Sequence, residues 1–388
     1  MFRIQVPFIE VADPWFGSIW DRLTRLARGD RHVAYFYPQP NAGTFRYRVQ
    51  NMIEALAQSD DRIGASWFCN ADLPHVDAIL ERADVLVICH AKYSVDSAQL
   101  VAKARCLGKR VLYDIDDLVF DGRYVHLVLN YLDHPTREID FDYWFADFAR
   151  YGALMRLCDG VILTNDYLAE RASEFSGLPT SVVPNFMNQA QLEHSARILA
   201  DKRSSGFARD QRVHLGYFSG SPTHQRDFAV VEDALRDLLM SDSRLVLRVV
   251  GHLEPGPVLA PFADRIERFP LQNVLNLQRL MGEVEINLVP LQENAFTHCK
   301  SALKVFEAAA VGTISVASPT FTLQAAIRDG ETGFVAPAQD WSDTLLRAIA
   351  ALDHYQEMAL AAAAAAWSRD VPEAQGPGLL RALFGDEI

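Results

Sequence analysis

The hydrophobic positions of this chain fall into short apolar runs separated by longer stretches with helical spacing. Apolar runs of roughly four to eight residues bounded by turn residues predict strands, and apolar positions recurring at three and four residues predict helices. Residues 33–37, 63–68, 85–89, 109–114 and 159–164 read as strands, with helices at 45–56, 95–107, 144–157 and 165–175. The alternation resumes with strands at 213–218, 244–251, 265–269, 285–291 and from Thr313, and with helices at 228–239, 341–352 and through an alanine-rich run to Trp367. Strands alternating with helices predict doubly wound parallel sheets of the α/β class. The pattern breaks at 189–211, which is charged and lacks an apolar stripe, so two such domains joined by a linker are expected. The expected organisation is an N-terminal amphipathic segment at 1–31, a first domain at 32–188, the linker at 189–211, a second domain at 212–366 and a tail at 367–388. The polar stretch 121–143 reads as a long surface loop.

One stretch departs from ordinary amphipathy. From Phe296 to Gly312 the chain reads as a loop, a helix beginning near Lys300 and a glycine stop. Its helical residues are almost wholly apolar, which predicts burial. Lys300, Lys304 and Glu307 are then spaced by four and three, on one stripe. Charges on a buried helix are costly unless paired or facing a polar ligand, and the first turn of a helix attracts anions. A lysine–glutamate pair on an exposed edge would explain the same spacing. The apolar surroundings favour the ligand-lining reading, with the helix start and lysines toward a phosphate-like anion and Glu307 toward hydroxyls.

Three further groups carry candidate chemistry. The loop after the first strand contains Asn41, Gly43, Thr44 and Arg46. At the end of the strand 85–89 stands His90, followed by Lys92; ligands gather at the carboxyl ends of strands in open α/β sheets. The run Asp114-Ile-Asp116-Asp117 is the densest acidic group. It reads either as a metal site of Asp-x-Asp type or as carboxylates that bind hydroxyls, cap a helix or pair with an arginine. The turn after the strand 213–218, with Gly220, Ser221, His224 and Arg226, offers small residues and a cation before a helix, which suits an anion.

The stretch Lys304-Val-Phe-Glu307-Ala-Ala-Ala-Val-Gly312 resembles the donor-site motif of GT-B glycosyltransferases, particularly the family-4-like (group 1) retaining enzymes of bacterial polysaccharide biosynthesis. The resemblance is most specific from Val213 to Val335. It implies two Rossmann-like domains facing each other across a cleft, the first binding an acceptor and the second a nucleotide-diphosphate sugar. By that resemblance the donor residues are Gly220, Ser221, His224, Arg226, Asn294, Lys300, Ser301, Lys304 and Glu307. Glu307 would hold the ribose, and the helix start and cations would hold the diphosphate. Asn41, Gly43, Thr44, Arg46, Asp116 and Asp117 would border acceptor and cleft, and His90, Arg226, Lys304 and Glu307 would serve catalysis. Many relatives have a second glutamate eight positions before Glu307 and an arginine in the preceding turn; here Cys299 and Ser221 stand there. The implied activity is metal-independent hexosyl transfer to a glycan or lipid-linked acceptor in cell-envelope or lipopolysaccharide assembly. Rival readings are a nucleotide-sugar epimerase of the same fold and a module that binds glycans or partners without catalysis.

Composition narrows the partners. A formal net charge of −13 and a pI near 5.3 argue against a nucleic-acid binder that relies on a basic surface. Five dispersed cysteines, none at metal-ligand spacing, suit a reduced, cytoplasmic protein. No apolar run approaches the roughly 20 residues of a membrane span. The segment 15–28 carries Trp15, Ile19, Trp20, Leu23 and Leu26 as a stripe flanked by Arg22, Arg25 and Arg28. It reads either as a peripheral membrane contact at the inner face of the cytoplasmic membrane or as a helix packed on the protein.

Overall fold

The computed structural model describes residues 1–12, 15, 17–41, 43–59, 62–131, 135–220 and 225–385. The chain forms two compact units. One contains Ala12–Asn188, Cys299–Ser301 and Val371–Ile388; the other contains Met1–Val11, Gln189–His298 and Ala302–Asp370.

The first unit is built on a six-stranded sheet: β1 (Arg31–Phe36), β2 (Ile63–Phe68), β3 (Val85–Cys89), β4 (Arg110–Asp114), β5 (Gly160–Leu163) and β6 (Thr180–Val182), in the order β2-β1-β3-β4-β5-β6. Every pairing is parallel. β3 is buried along its whole length, the expected consequence of helices covering both faces of a parallel sheet. Its continuous Val-Leu-Val-Ile-Cys run is that burial written in sequence. One core cluster joins Val33, Tyr35, Phe45, Leu56, Trp67 and Val87 with Leu379 and Leu383 of the helix Pro372–Phe384. The predicted tail is therefore corrected: its final helix completes the core of the first unit.

The second unit carries another parallel sheet: β7 (Val213–Ser219), β8 (Leu245–Gly251), β9 (Ile266–Phe269), β10 (Ile286–Val289), β11 (Ile314–Ala317) and β12 (Gly333–Val335), in the order β12-β11-β10-β7-β8-β9. β7 runs in register with β8 from Val213↔Leu245 to Ser219↔Gly251. Gly251 has φ +90°, and a Cβ there would lie 2.0 Å from the Ser219 carbonyl oxygen. Only glycine lets the chain leave β8 so close to β7. The core of this unit includes Leu215, Leu235, Leu247, Leu288, Val316 and Trp341. Phe2 is buried in the same cluster, so residues 1–11 belong to this unit and the expected 1–31 segment is divided.

Three other expectations are corrected. Residues 189–204 are not a linker but the helix Gln189–Ser204, which buries Gln191, His194, Ser195 and Lys202 beside Leu192, Ile198 and Leu199. A buried face that is half polar leaves no apolar periodicity to read. The expected loop 121–143 contains a short turn, Gly122–Tyr124, and the helix Val125–Leu129. It then enters the long helix Glu138–Met155, which starts six residues before the predicted 144. Its first two turns expose Ile139, Phe141, Tyr143 and Phe145, so no buried stripe marks them in the sequence. The helix expected from Lys300 begins at Leu303 and runs to Ala310, preceded by the separate turn Ala295–His298. Gly312 follows it with φ +67°, the left-handed conformation that commonly ends helices.

The segment 15–28 packs on the first unit. The helix Ile19–Leu26 buries Leu23 and Leu26. Arg22 is also buried, paired with both carboxylate oxygens of Asp72 at 2.6 and 2.8 Å and stacked 4.1 Å from the Trp67 ring centroid. Trp20 remains 65% exposed. Among the described residues no helix is long and apolar enough to cross a membrane.

Candidate functional site

In the first unit the carboxyl ends of β3 and β4 carry a network of paired charges. Asp114, the last residue of β4, is buried and meets Arg48 in a two-pronged pair, Nε–Oδ1 and Nη2–Oδ2 both at 2.8 Å. Arg48 also donates to the Val183 carbonyl at 2.7 Å and to Asn185 Oδ1 at 3.1 Å. Burial raises the Asp114 carboxyl above its usual range, against the opposing pull of Arg48. His90 follows β3 with φ +46°, an unusual value for a residue with a side chain. Its Nδ1 lies 3.2 Å from Asp116 Oδ1, an ion-pair distance, although the two atoms are not aligned as a hydrogen bond. Burial pushes the Asp116 carboxyl up, but the adjoining His90 imidazole outweighs it and holds the group down at about 2. Burial likewise lowers His90, but the Asp116 carboxylate prevails and raises it above 6.5. Thr44 Oγ1 donates to Asp116 Oδ2 at 3.2 Å. Asp117 pairs with Lys300 at 2.7 Å.

Each carboxylate of the acidic run thus has its own cationic partner. Of the alternatives open in the sequence, Asp114 takes the arginine pair. A group whose ligand atoms do converge, within 4.8 Å, is Asp210, His214 and Glu285. The amino group of Met1 bonds both of its carboxylates, at 2.7 and 2.6 Å.

The other residues of the first loop have mixed fates. The Asn41 side chain accepts from the Gly43 amide at 2.9 Å and donates to the Tyr37 hydroxyl at 2.9 Å. Gly43 has no positive φ, and a Cβ would meet nothing closer than 3.4 Å, so the backbone does not demand glycine there. Arg46 is buried inside the first unit, with its guanidinium 5.6 Å from the Trp15 ring.

Lys300 and Ser301 also differ from expectation. The tripeptide Cys299–Ser301 belongs to the first unit. Asn165 donates to the Cys299 carbonyl at 2.8 Å, Asn185 to Ser301 Oγ at 3.2 Å, and Lys300 engages Asp117. With the helix starting at Leu303, Lys300 is not on the stripe of Lys304 and Glu307. Cys299 is fully buried, and burial raises its thiol to about 12, so it is a packed neutral side chain.

In the second unit the helix Leu303–Ala310 carries the remaining motif. Its N-cap residue, Ala302, supplies no side-chain hydrogen bond to the first turn. Lys304 is half-buried with its ammonium 5.1 Å from the Tyr217 ring centroid, and its carbonyl accepts from Asn287 at 2.9 Å. Glu307 is buried, and Gln191 Nε2 donates to its Oε1 at 2.9 Å. Gln191 was missed because it lies in the stretch read as a linker. Asn294 Oδ1 caps the turn Ala295–His298 by accepting from the Phe296 and Thr297 amides at 2.9 and 3.1 Å. Gly220 follows β7, and Arg226 is exposed in the first turn of the helix Gln225–Ser241. Ser221 and His224 lie outside the described residues.

Two six-stranded parallel sheets, each in its own unit and flanked by helices, define the GT-B architecture of two Rossmann-like domains. Solved structures share that fold. HepE from Anabaena, in complex with UDP and glucose, is 14% identical, with a TM-score of 0.59 over 90% of this chain and 98% of its own. WaaG, a glycosyltransferase involved in lipopolysaccharide biosynthesis, is 14% identical, with a TM-score of 0.60 over 91% and 100%. Sucrose-phosphate synthase from Thermosynechococcus elongatus is 14% identical, with a TM-score of 0.60 over 90% and 97%. Residues 213–354 match the family model of glycosyl transferases group 1. The chain accordingly has the GT-B fold, with a group 1 glycosyl transferase domain at residues 213–354. No curated protein sequence matches the chain.

Proposed function

We propose that the protein transfers a hexosyl group from a nucleotide-diphosphate sugar to a glycan or lipid-linked acceptor, with retention and without a metal, in cell-envelope polysaccharide assembly at the cytoplasmic face of the membrane. The observation that carries the reading is the buried Glu307 on a helix whose first turn has no side-chain cap, inside the stretch that matches the group 1 model. In this reading Glu307, held by Gln191, accepts hydrogen bonds from the ribose hydroxyls. The start of the helix Leu303–Ala310 meets the diphosphate, with Lys304 and Arg226 adding positive charge. Leaving-group charge then develops against fixed dipoles and cations, which stabilise it without reorganisation. His90, beside Asp116, orients or stabilises the transferring sugar. HepE with UDP and glucose and WaaG in lipopolysaccharide biosynthesis support the donor class and the setting.

A thermal-shift screen with UDP-, GDP- and dTDP-sugars tests the donor class: one nucleotide series raises Tm in the wild type and fails to do so in Glu307→Ala. An unchanged response in the variant removes Glu307 from the site. Turnover of donor with no acceptor present would favour the epimerase reading instead.

A further inference from the structure

The first unit contains a cavity of about 620 Å³ at the carboxyl ends of β1 and β3, within the size range of ligand sites. Among the described residues its charged lining is His90, Lys92 and Arg150, the first two paired with Asp116 and Asp147 outside the lining. The cationic wall is built, not incidental. The loop after β3 is tied to the helix Glu138–Met155 by two bonds between the same residues, the Tyr93 amide to the Arg150 carbonyl at 2.9 Å and Arg150 Nε to the Tyr93 carbonyl at 2.8 Å. Those bonds fix Lys92 and Arg150 on one side of the cavity and leave both terminal guanidinium nitrogens of Arg150 for a ligand. Lys92 is held from behind by Asp147 at 2.6 Å and lies 5.4 Å from the Tyr151 ring centroid. An ammonium has three donors, so Lys92 keeps capacity toward the cavity. Tyr37 and Tyr151 add aromatic faces, and Asn41 and Asn70 add amides.

We propose that this cavity takes an acceptor sugar bearing an oxyanion, a phosphate or a carboxylate, with the anion against Lys92 and Arg150 and the ring against Tyr37 and Tyr151. The proposal rests on the glycosyltransferase reading above and names the acceptor class within it. Planar guanidinium and oxyanion geometry match in two parallel bonds, which gives Arg150 the larger share of the selection.

The test is calorimetric titration of the full chain with glucose 6-phosphate, glucuronic acid, glucose and inorganic phosphate, alongside a separate titration with the nucleotide found by thermal shift. One charged sugar is expected to bind at least about tenfold more tightly than glucose, the scale of one charge-assisted hydrogen bond. Which of the two does so distinguishes phosphate from carboxylate. Arg150→Gln is expected to remove most of that preference while nucleotide affinity stays within twofold. Asp147→Asn, which releases Lys92, is expected to tighten the charged sugar several-fold. If both charged sugars bind no better than glucose, or Arg150→Gln leaves the preference intact, the proposal is overturned. If inorganic phosphate alone matches the sugar phosphate and ignores Arg150, it is likewise overturned. A wild type that binds the nucleotide but shows no charge preference overturns this inference alone. A wild type that binds no nucleotide overturns the donor reading.

Discussion

The two units use one fold, yet the candidate charged residues in each meet different kinds of neighbour. In the first unit each carboxylate of the acidic run meets a cation: Asp114 with Arg48, Asp116 with His90, Asp117 with Lys300. In the second, the buried Glu307 accepts from the neutral amide of Gln191, and Lys304 stands over the Tyr217 ring. A buried charge with an oppositely charged neighbour is locked in place, and removing one partner leaves the other stranded. The contrast is between a charge network that builds a domain and side chains proposed to meet a substrate; the second unit builds with such a network too, Arg248 with Glu283 at 2.6 Å.

That contrast breaks most visibly at Arg48. Arg48→Met leaves Asp114 buried without its guanidinium, and the cost of breaking such a pair is about 3–5 kcal/mol. Urea unfolding is expected to show a loss of that size. A loss below about 1 kcal/mol would mean that the pair does not anchor the domain. Glu307→Gln is expected to do the opposite. It weakens the nucleotide by roughly tenfold to a hundredfold, the value of hydrogen bonds to a charged group, with little change in the unfolding midpoint. Equal damage to stability and affinity would erase the distinction between the two units.

The His90–Asp116 pair sharpens the comparison through pH. His90 is raised in the folded protein, so its contribution to stability is fully present below its unfolded value near 6.5 and is lost as pH rises through the raised value. Asp116 is depressed to about 2, so its contribution is present above the ordinary carboxylate range and is lost as pH falls toward 2. With Asp116→Asn, burial is left to dominate, and the His90 titration followed by NMR is expected to move below 6.5. A histidine still titrating above 6.5 would assign its shift to another group.

Two smaller effects follow. A chelator is expected to leave transfer activity within twofold of the untreated enzyme; loss restored by Mn²⁺ would return the chemistry to the acidic run. Trp20→Ala, at a mostly exposed position, is expected to shift stability by no more than about 0.5 kcal/mol. A marked loss of vesicle binding in that variant would revive the membrane reading of the segment 15–28.

Much of the fold was legible because parallel strands buried on both faces leave unbroken apolar runs: Val85-Leu-Val-Ile-Cys89 and the run from Val213 read directly as β3 and β7. The motif from Lys304 to Gly312 was legible because an apolar helix with two charges is rare enough to notice. The helix Gln189–Ser204 was hidden because it buries polar groups such as Gln191 and Lys202, whose side chains bond Glu307 and the Gly312 carbonyl far along the chain. The early turns of Glu138–Met155 were hidden because their apolar residues face outward.

What the sequence determined by itself is local and periodic: strand runs, the glycine stop at Gly312, and residue types suited to an anion and to hydroxyls. What only the tertiary structure decided is who meets whom. Lys300, predicted beside Lys304, binds Asp117 across 183 positions of sequence, and Glu307 meets Gln191 across 116. The physical reason is that periodicity encodes which face is buried, whereas the neutralisation of a particular charge depends on chain segments that only folding brings within a few ångströms.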